Sequence, residues 1–144
     1  MLTETETTAG LDQTQMEDLA GVLRGELIVP GDPAYEEART IYNAMIDKRP
    51  AAIARCENTA DVIAAVNFAR EWELDLAIHG GGHNGAGLSM VDGGLVLDLS
   101  SMNSVYVDPA SNTVRVGGGS TWGKVDHATH AFGLAVPSGI ISTT

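Results

Sequence analysis

Residues 79–89 of this chain read HGGGHNGAGLS, a glycine-rich stretch with two histidines that follows a run typical of a β-strand. Consecutive glycines allow several backbone N–H groups to point into one concavity, which can hold an anion without any basic side chain. A wide turn is the simpler interpretation, but a turn needs fewer residues and fewer glycines than this stretch has. The stretch therefore predicts a loop, from Gly80 to Gly87, that binds a phosphate-bearing ligand through its backbone.

Apolar periodicity on both sides of the loop predicts the helices and strands. Short strands are predicted at residues 51–54, 75–78, 95–99, 104–107 and 113–116. Helices are predicted near residues 16–23 and 34–45, from residue 59 to about 72, and over residues 121–132. The third helix is capped by Asn58 or Thr59, and its inward stripe is expected to be Val62, Val66, Ala69 and Trp72. This order of elements predicts an α+β domain with a mixed sheet.

The length of 144 residues is that of about one domain. Residues 1–10 are polar and rich in Thr and Glu, so that we expect a disordered lead there. Residues 11–48 are predicted to form an amino-terminal helical segment. Residues 49–144 are predicted to form the domain that contains the glycine loop.

The loop matches the dinucleotide pattern G-x-G-x-x-G, but the residues after it do not fit a Rossmann fold. A Rossmann loop opens a crossover helix between two parallel strands. Residues 88–93 alone separate the loop from the next predicted strand, and the Gly-Gly pair at 93–94 would interrupt a helix. The spacing therefore argues against a Rossmann fold.

A second glycine cluster, residues 118–124 (GGSTWGK), satisfies the G-x-x-x-x-G-K part of a P-loop. The next residue is Val125, where the motif requires a Ser or Thr hydroxyl for a magnesium ion. We expect these glycines to serve a turn and Trp122 to pack in the core. A P-loop-like nucleotide hydrolase that uses Lys124 is the alternative function at this point.

The charge of the chain limits its partners. There are 19 acidic and 8 basic side chains, for a formal net charge of −11, and two of the basic residues are lysines. A protein that binds nucleic acid through phosphate contacts needs a basic surface, so this class is excluded. No apolar run is long enough to span a membrane, and the first ten residues do not resemble a signal peptide. We expect a cytoplasmic protein with no nucleic-acid or membrane partner, and the lysine-poor acidic surface suggests a halophilic source.

Other reactive side chains have ordinary interpretations. Cys56 is the single cysteine, so it forms no internal disulfide, and we expect it to be buried and unreactive. His127 and His130 share a helix face, but no further Cys or His pair completes a metal site. Asp98 is interpreted as a hydrogen-bonding residue at the end of a strand. The sequence thus predicts no metal site and no catalytic residue within these 144 residues.

Several segments together resemble the FAD-binding domain of the vanillyl-alcohol oxidase and p-cresol methylhydroxylase (PCMH-type) flavoproteins. They are residues 49–53 (RPAAI), 59–62 (TADV), 77–89 (AIHGGGHNGAGLS), 92–99 (DGGLVLDL), 101–103 (SMN) and 117–119 (GGG). The most similar branch is that of the berberine-bridge-enzyme-like oxidases, which includes hydroxynicotine oxidases. The resemblance implies a PCMH-type fold of two α+β subdomains, the second incomplete here. It also implies an oxidase that transfers hydride from a small alcohol or amine to FAD, with molecular oxygen as acceptor.

The resemblance also implies which residues contact the cofactor. The loop at Gly80, Gly81 and Gly82 would wrap the pyrophosphate. The remaining contacts would come from His83, Asn84, Leu88, Ser89, Gly139, Ser142 and Thr143. His83 occupies the position of the histidine that is bonded covalently to the 8α-methyl carbon of the flavin, and a neutral imidazole suits that chemistry.

The chain departs from the family pattern in three places. His79 stands where an arginine is usual, so that a positive charge near the flavin is missing or depends on pH. Ile141 stands where some members carry a cysteine that attaches the flavin a second time, so that we expect one attachment. The remaining FAD-binding residues and the substrate domain are expected after Thr144. A truncated, inactive chain is therefore a further alternative.

Overall fold

The computed structural model of the chain describes residues 11–144, which form two separate sheets. The strands are β1 (Glu26–Ile28), β2 (Ala52–Arg55), β3 (Leu76–His79), β4 (Leu95–Asp98), β5 (Val105–Asp108) and β6 (Thr113–Val116). The helices are α1 (Gln13–Val22), α2 (Tyr35–Ala38), α3 (Thr59–Glu71) and α4 (Trp122–His130). The lead expected at residues 1–10 lies outside the described residues.

The larger sheet is mixed, as expected. Its strand order is β1-β2-β4-β3, in which β1 is antiparallel to β2, and both β2 and β3 are parallel to β4. Strands β5 and β6 form an antiparallel hairpin of their own, against which α4 packs. The expectation of an α+β fold with a mixed sheet is therefore confirmed.

The core lies on both faces of β2 and β4, which are almost completely buried. Helices α1 and α3 cover one face, where the cluster includes Leu19, Ala54, Ala65, Phe68, Leu95 and Leu97. Residues before β2 and after the glycine loop cover the other face, where the cluster includes Ile28, Tyr35, Ile41, Ile53, Met90 and Val96. Because strand side chains alternate between the two faces, β2 and β4 contribute to both clusters.

Helix α3 begins where the sequence predicts, but it buries a different face. The Asn58 side chain accepts hydrogen bonds from the N–H groups of the first turn, as expected for a cap. The buried residues of α3 are Asp61, Ala65, Phe68 and Ala69. Val66 and Trp72, expected to point inward, are 39% and 44% exposed. The prediction was right for Ala69, which is buried, and for Val62, which packs against the core, but wrong for Val66 and Trp72. It also left out Asp61, a carboxylate that the fold buries.

The helix expected over residues 34–45 is much shorter in the structure. Helix α2 has four residues, and residues 39–50 have no regular secondary structure. Tyr42 and Met45, expected on the buried side, are 78% and 90% exposed. The N–H group of Tyr42 donates to the carbonyl of Gly82 instead of continuing a helix. The segment 11–48 is also not purely helical, since it contributes strand β1.

No helix within residues 11–144 is both long enough and apolar enough to cross a lipid bilayer. The cytoplasmic location stays a prediction.

The buried carboxylate of Asp61 connects α3 to the start of β1. Its oxygens accept hydrogen bonds from the N–H groups of Arg24, Gly25 and Glu57, at 2.9, 3.1 and 2.9 Å. Burial by itself would raise the pKa of Asp61. The backbone hydrogen bonds favour the charged form, and they hold the pKa below its ordinary value.

We expect Asp61→Ala to destabilise the fold, because three N–H groups lose their acceptor. An unsatisfied donor costs about 1–3 kcal/mol, so the free energy of unfolding should fall by about 3 kcal/mol or more. Glu71→Ala is the matched control, since Glu71 is exposed in the last turn of the same helix. Urea unfolding followed by circular dichroism measures both variants. Equal unfolding midpoints would contradict the role of Asp61.

Candidate functional site

The glycine loop begins at the carboxyl end of β3 and is part of a connection to the parallel strand β4 that contains no helix. The absence of a crossover helix, expected from the spacing, is confirmed for these described residues. Within residues 11–144, the amide N–H groups of residues 80–85 donate no hydrogen bond. A run of unpaired backbone donors at a strand end is suited to binding an anion.

Gly82 has a conformation that other residues rarely adopt. Its φ is +70°, and a Cβ atom there would lie 2.9 Å from Cε1 of His79 and 3.3 Å from the backbone of Ile41. A side chain at this position would therefore be strained and would collide with its neighbours. The close approach on both sides is the reason for a glycine at the last position of the triplet.

The two glycine clusters of the sequence lie against each other. A Cβ atom on Gly80 would lie 2.7 Å from the carbonyl oxygen of Gly118. On its other side the second cluster packs against the chain after β4, since a Cβ on Gly119 would lie 1.9 Å from the Leu99 carbonyl oxygen. The second cluster therefore serves as a closely packed turn, as the sequence analysis expected.

His83 is oriented by two contacts. Its Nε2 atom lies 3.1 Å from the carbonyl oxygen of Thr143, and its ring stacks on that of Tyr42 with centroids 5.2 Å apart and planes inclined by 29°. A carbonyl can only accept, so this hydrogen bond assigns the proton of a neutral imidazole to Nε2. The other ring nitrogen, Nδ1, then carries the lone pair. The imidazole is therefore arranged as a nucleophile at Nδ1.

The other predicted residues of the loop have distinct places. The Oδ1 atom of Asn84 accepts from the N–H groups of Ala86 and Leu88, at 3.0 and 3.2 Å, and so shapes the loop from within. The side chain of Leu88 is 69% exposed. Ser89 is buried, and its Oγ atom has no hydrogen-bond partner within the described residues. An unpaired buried hydroxyl beside the loop is a polar group available to a ligand.

Of the predicted cofactor contacts near the end of the chain, Gly139, Ser142 and Thr143, the fold brings only one to the glycine loop. Thr143 reaches His83, as described above. The carbonyl of Ser142 instead accepts from the N–H of Gly123, at 2.8 Å, and Gly139 lies beside the ring of Trp122. These two residues thus lie at the start of α4.

The same contacts leave the P-loop alternative without support. At the start of α4, the N–H groups of Trp122 and Gly123 donate to the carbonyls of Thr144 and Ser142, so they are not free for a phosphate. The Nζ atom of Lys124 donates to Oδ1 of Asn103 at 2.6 Å. Trp122 is only partly buried, and so the expectation that it packs in the core was too strong.

A segment that the sequence analysis did not connect with the site holds the glycine loop from one side. The Nδ2 group of Asn43 donates to the Gly85 carbonyl at 2.8 Å, and Nζ of Lys48 donates to the carbonyls of Gly87 and Met90, at 3.1 and 2.9 Å. Asn43 and Gly85 are 42 residues apart in the chain, so no local pattern links them. We call residues 39–49 the bracing segment.

A row of ionisable side chains crosses the larger sheet and ends at the glycine loop. The strand registers place Glu26, Arg55, Asp98 and His79 on neighbouring strands. Arg55 donates to Asp98 at 2.9 Å and to Glu26 at 3.2 Å. His79, at the end of the row, lies against Gly82. The interpretation of Asp98 as a hydrogen-bonding residue agrees with this geometry.

Burial has opposite effects on the pKa values of His79 and Asp98, the two members of this row nearest the glycine loop. It lowers the pKa of His79, and the charge of Asp98 offsets this only in part. Burial by itself would raise the pKa of Asp98, but hydrogen bonds from Ser100 and Arg55 outweigh it and hold that pKa below its ordinary value. His79 is therefore neutral at neutral pH and supplies no positive charge to the loop.

The remaining reactive side chains lie outside the glycine loop, and Cys56 is buried as the sequence predicted. Burial together with the charges of Asp61 and Asp98 raises the pKa of the Cys56 thiol to about 11. Within residues 11–144 there is no group of three or more His, Cys, Asp or Glu side chains that could hold a metal ion. His127 and His130 are exposed on α4.

Comparison with known proteins identifies the family. The model of a family described as "FAD binding domain" matches residues 50–144. The chain belongs to this FAD-binding domain family. The resemblance seen in the sequence and the PCMH-type fold are thereby confirmed.

Relatives of this FAD-binding domain are FAD-linked oxidoreductases. The (R)-6-hydroxynicotine oxidase of Paenarthrobacter nicotinovorans is 37% identical over 118 residues, which are 82% of this chain and 26% of that protein. A FAD-linked oxidoreductase of Dictyostelium discoideum is 44% identical over 123 residues, which are 85% of this chain and 27% of that protein. The chain thus spans about a quarter of the length of these relatives.

Solved structures agree with this assignment. The crystal structure of 6-hydroxy-D-nicotine oxidase from Arthrobacter nicotinovorans superposes with a TM-score of 0.81 and 36% identity, over 84% of this chain and 27% of that one. That of Physcomitrella patens BBE-like 1 superposes with a TM-score of 0.81 and 26% identity, over 89% and 28%. Two features of the described residues fit a FAD-binding domain: the glycine loop with its unpaired amides, and the buried hydroxyl of Ser89 that has no partner.

We expect Gly82→Ala to weaken FAD binding and to lower the stability of the loop. The Cβ atom enforces about 1–2 kcal/mol of backbone strain and also meets His79. Gly85→Ala is the matched control, because a Cβ there meets nothing within 4 Å. Quenching of FAD fluorescence on titration measures the affinity, and equal affinities for the two variants would contradict the steric argument.

The lowered pKa of His79 predicts a dependence of stability on pH. The ordinary pKa of histidine is about 6.5, so below this pH the unfolded chain binds a proton that the folded chain resists. Stability should therefore fall as the pH drops from about 7 to about 5. His79→Gln should flatten this fall, whereas His127→Gln, at an exposed position, should not. Urea unfolding at several pH values tests this, and equal slopes for the two variants would contradict it.

Proposed function

We propose that this chain is the FAD-binding part of a FAD-dependent oxidase and that it attaches the flavin covalently through His83. The observation that carries this proposal is the state of His83. The Thr143 carbonyl accepts a hydrogen bond from Nε2–H, so the lone pair lies on Nδ1. The ring lies in a loop whose amides have no acceptor among the described residues. An exposed histidine without a role would need neither constraint.

The glycine loop would hold the pyrophosphate of FAD. The net charge of −11 repels an anion at long range, so attraction must come from dipoles in direct contact with it. The free amides around Gly80, Gly81 and Gly82 supply such dipoles. No basic side chain is required, in keeping with a neutral His79.

Other residues would shape the rest of the cofactor site. Asn84 keeps the loop open, and the exposed side chain of Leu88 offers an apolar surface to the cofactor. The unpaired hydroxyl of Ser89 would gain a partner on binding. Gly139, Ser142 and Thr143 would form the opposite side of the site, of which Thr143 already contacts His83.

Attachment would form one bond, between an imidazole nitrogen and the methyl carbon of the flavin. One hydrogen leaves the imidazole and one leaves the methyl group. Molecular oxygen accepts both hydrogens with the electron pair and becomes hydrogen peroxide, so that atoms and electrons balance. This chain would contribute the imidazole of His83, oriented by Thr143 and Tyr42.

The substrate class follows from the relatives and not from this chain. When bound, FAD accepts a hydride and passes the electrons to an acceptor, and the protein binds and orients it. The relatives include proteins named hydroxynicotine oxidase, so we propose a small alcohol or amine as substrate and molecular oxygen as acceptor. A substrate domain after Thr144 is part of the same proposal.

The covalent link is tested by acid precipitation. We expect the full-length protein to be yellow and to keep its flavin in the acid pellet. His83→Ala should release all flavin to the supernatant, because no nucleophile remains at this position. His127→Ala, which removes an exposed histidine on α4, should keep it.

Absorbance of the pellet and supernatant near the flavin maximum gives the result. Free flavin from the wild-type protein would overturn covalent attachment. Retained flavin in His83→Ala would overturn the choice of residue.

A further inference from the structure

We propose that Tyr42 is a positioning residue that holds the imidazole of His83 in the orientation needed for attachment to the flavin. This inference rests on the covalent attachment proposed above. Tyr42 belongs to the bracing segment and lies within the helix predicted over residues 34–45. It is not among the residues predicted to contact the cofactor. Its ring stacks on that of His83, with centroids 5.2 Å apart.

The exposure of Tyr42 indicates that its side chain does little for the core. It is 78% exposed and belongs to neither hydrophobic cluster of the described residues. A large aromatic side chain contributes to stability mainly through the area that it buries. Among residues 11–144, the one aromatic ring that stacks on Tyr42 is that of His83. The contact therefore serves the histidine more than the fold.

The backbone around Tyr42 is fixed to the same loop. Its N–H group donates to the carbonyl of Gly82, which directly precedes His83, at 3.1 Å. The next residue, Asn43, donates to Gly85 at 2.8 Å, on the other side of His83. The preceding residue, Ile41, packs against Gly82. The backbone of Tyr42 is thus fixed beside His83 by three neighbouring contacts, which places its ring within stacking distance of the imidazole.

The two contacts of His83 are complementary. The hydrogen bond from Nε2 to Thr143 fixes which ring nitrogen faces outward, but the ring could still rotate about that bond. Stacking on Tyr42 fixes the plane of the ring. A reacting nitrogen that is already held in one direction loses less entropy on reaching the transition state. Misplacement of the reacting atoms by about 1 Å can lower the rate about a hundredfold. Tyr42 would therefore act on the rate of attachment.

The rate of flavin attachment tests this role. The apo forms of the full-length protein variants are mixed with FAD, and the acid-stable flavin is measured over time. We expect Tyr42→Ala to be slower by about tenfold or more. Tyr42→Phe, which keeps the stacked ring, should attach flavin at nearly the wild-type rate. Tyr106→Ala is the matched control, since Tyr106 is 67% exposed on β5, away from the loop, and it should not change the rate.

Two further measurements separate positioning from binding and folding. The affinity for FAD, measured before attachment proceeds, should stay within about threefold of wild type in Tyr42→Ala, because the phosphate contacts are untouched. The NMR signal of the His83 Cε1–H group should move in Tyr42→Ala, where the ring current is lost, and stay in place in Tyr42→Phe and Tyr106→Ala.

The outcomes are distinguishable. If the wild-type protein attaches flavin and Tyr42→Ala attaches it at the same rate, the role of Tyr42 is overturned. The role is also overturned if Tyr42→Phe is as slow as Tyr42→Ala. Either result leaves the proposed function intact. Absence of acid-stable flavin in the wild-type protein would overturn both proposals.

Discussion

The parallel pairing of β3 with β4, without a helix between them, is the constraint on which the site depends. The chain must return from the carboxyl end of one strand to the amino end of its neighbour, and residues 80–94 make this return without regular structure. A helix would satisfy its own backbone groups, whereas this connection leaves the amides of residues 80–85 unpaired. The fold thus presents main-chain donors that suit an anion, in a protein whose charged side chains are mostly acidic.

A loop with so many unpaired donors needs support from elsewhere. The bracing segment supplies hydrogen bonds to Gly82, Gly85 and Gly87, and the ionisable row ends with His79 against Gly82. Both supports come from residues that are distant in the chain. The loop is therefore held by the sheet and the bracing segment together.

Much of the local structure follows from local chemistry. The strands at 52–55 and 95–98 are continuous apolar runs because both faces are covered, and Asn58 caps α3 because its side chain accepts from the first turn. The helix expected over residues 34–45 ends at Ala38, and farther along the stretch the N–H group of Tyr42 and the side chain of Asn43 donate to carbonyls of the glycine loop. Asp61 is buried because its carboxylate accepts hydrogen bonds from Arg24 and Gly25, which are distant in the chain. A pattern of apolar residues could not indicate this.

The sequence by itself determined the α+β class, from the order of its predicted elements, and the glycine loop, from residue types close together in the chain. His83 was singled out by the family resemblance that the same sequence carries. Only the tertiary structure decided which nitrogen of His83 is basic, that Tyr42 stacks on it, and that Thr143 reaches it while Ser142 does not. Those facts depend on contacts between residues that are far apart in the sequence. Such contacts arise from the packing of the sheet and leave no periodic or local pattern to read.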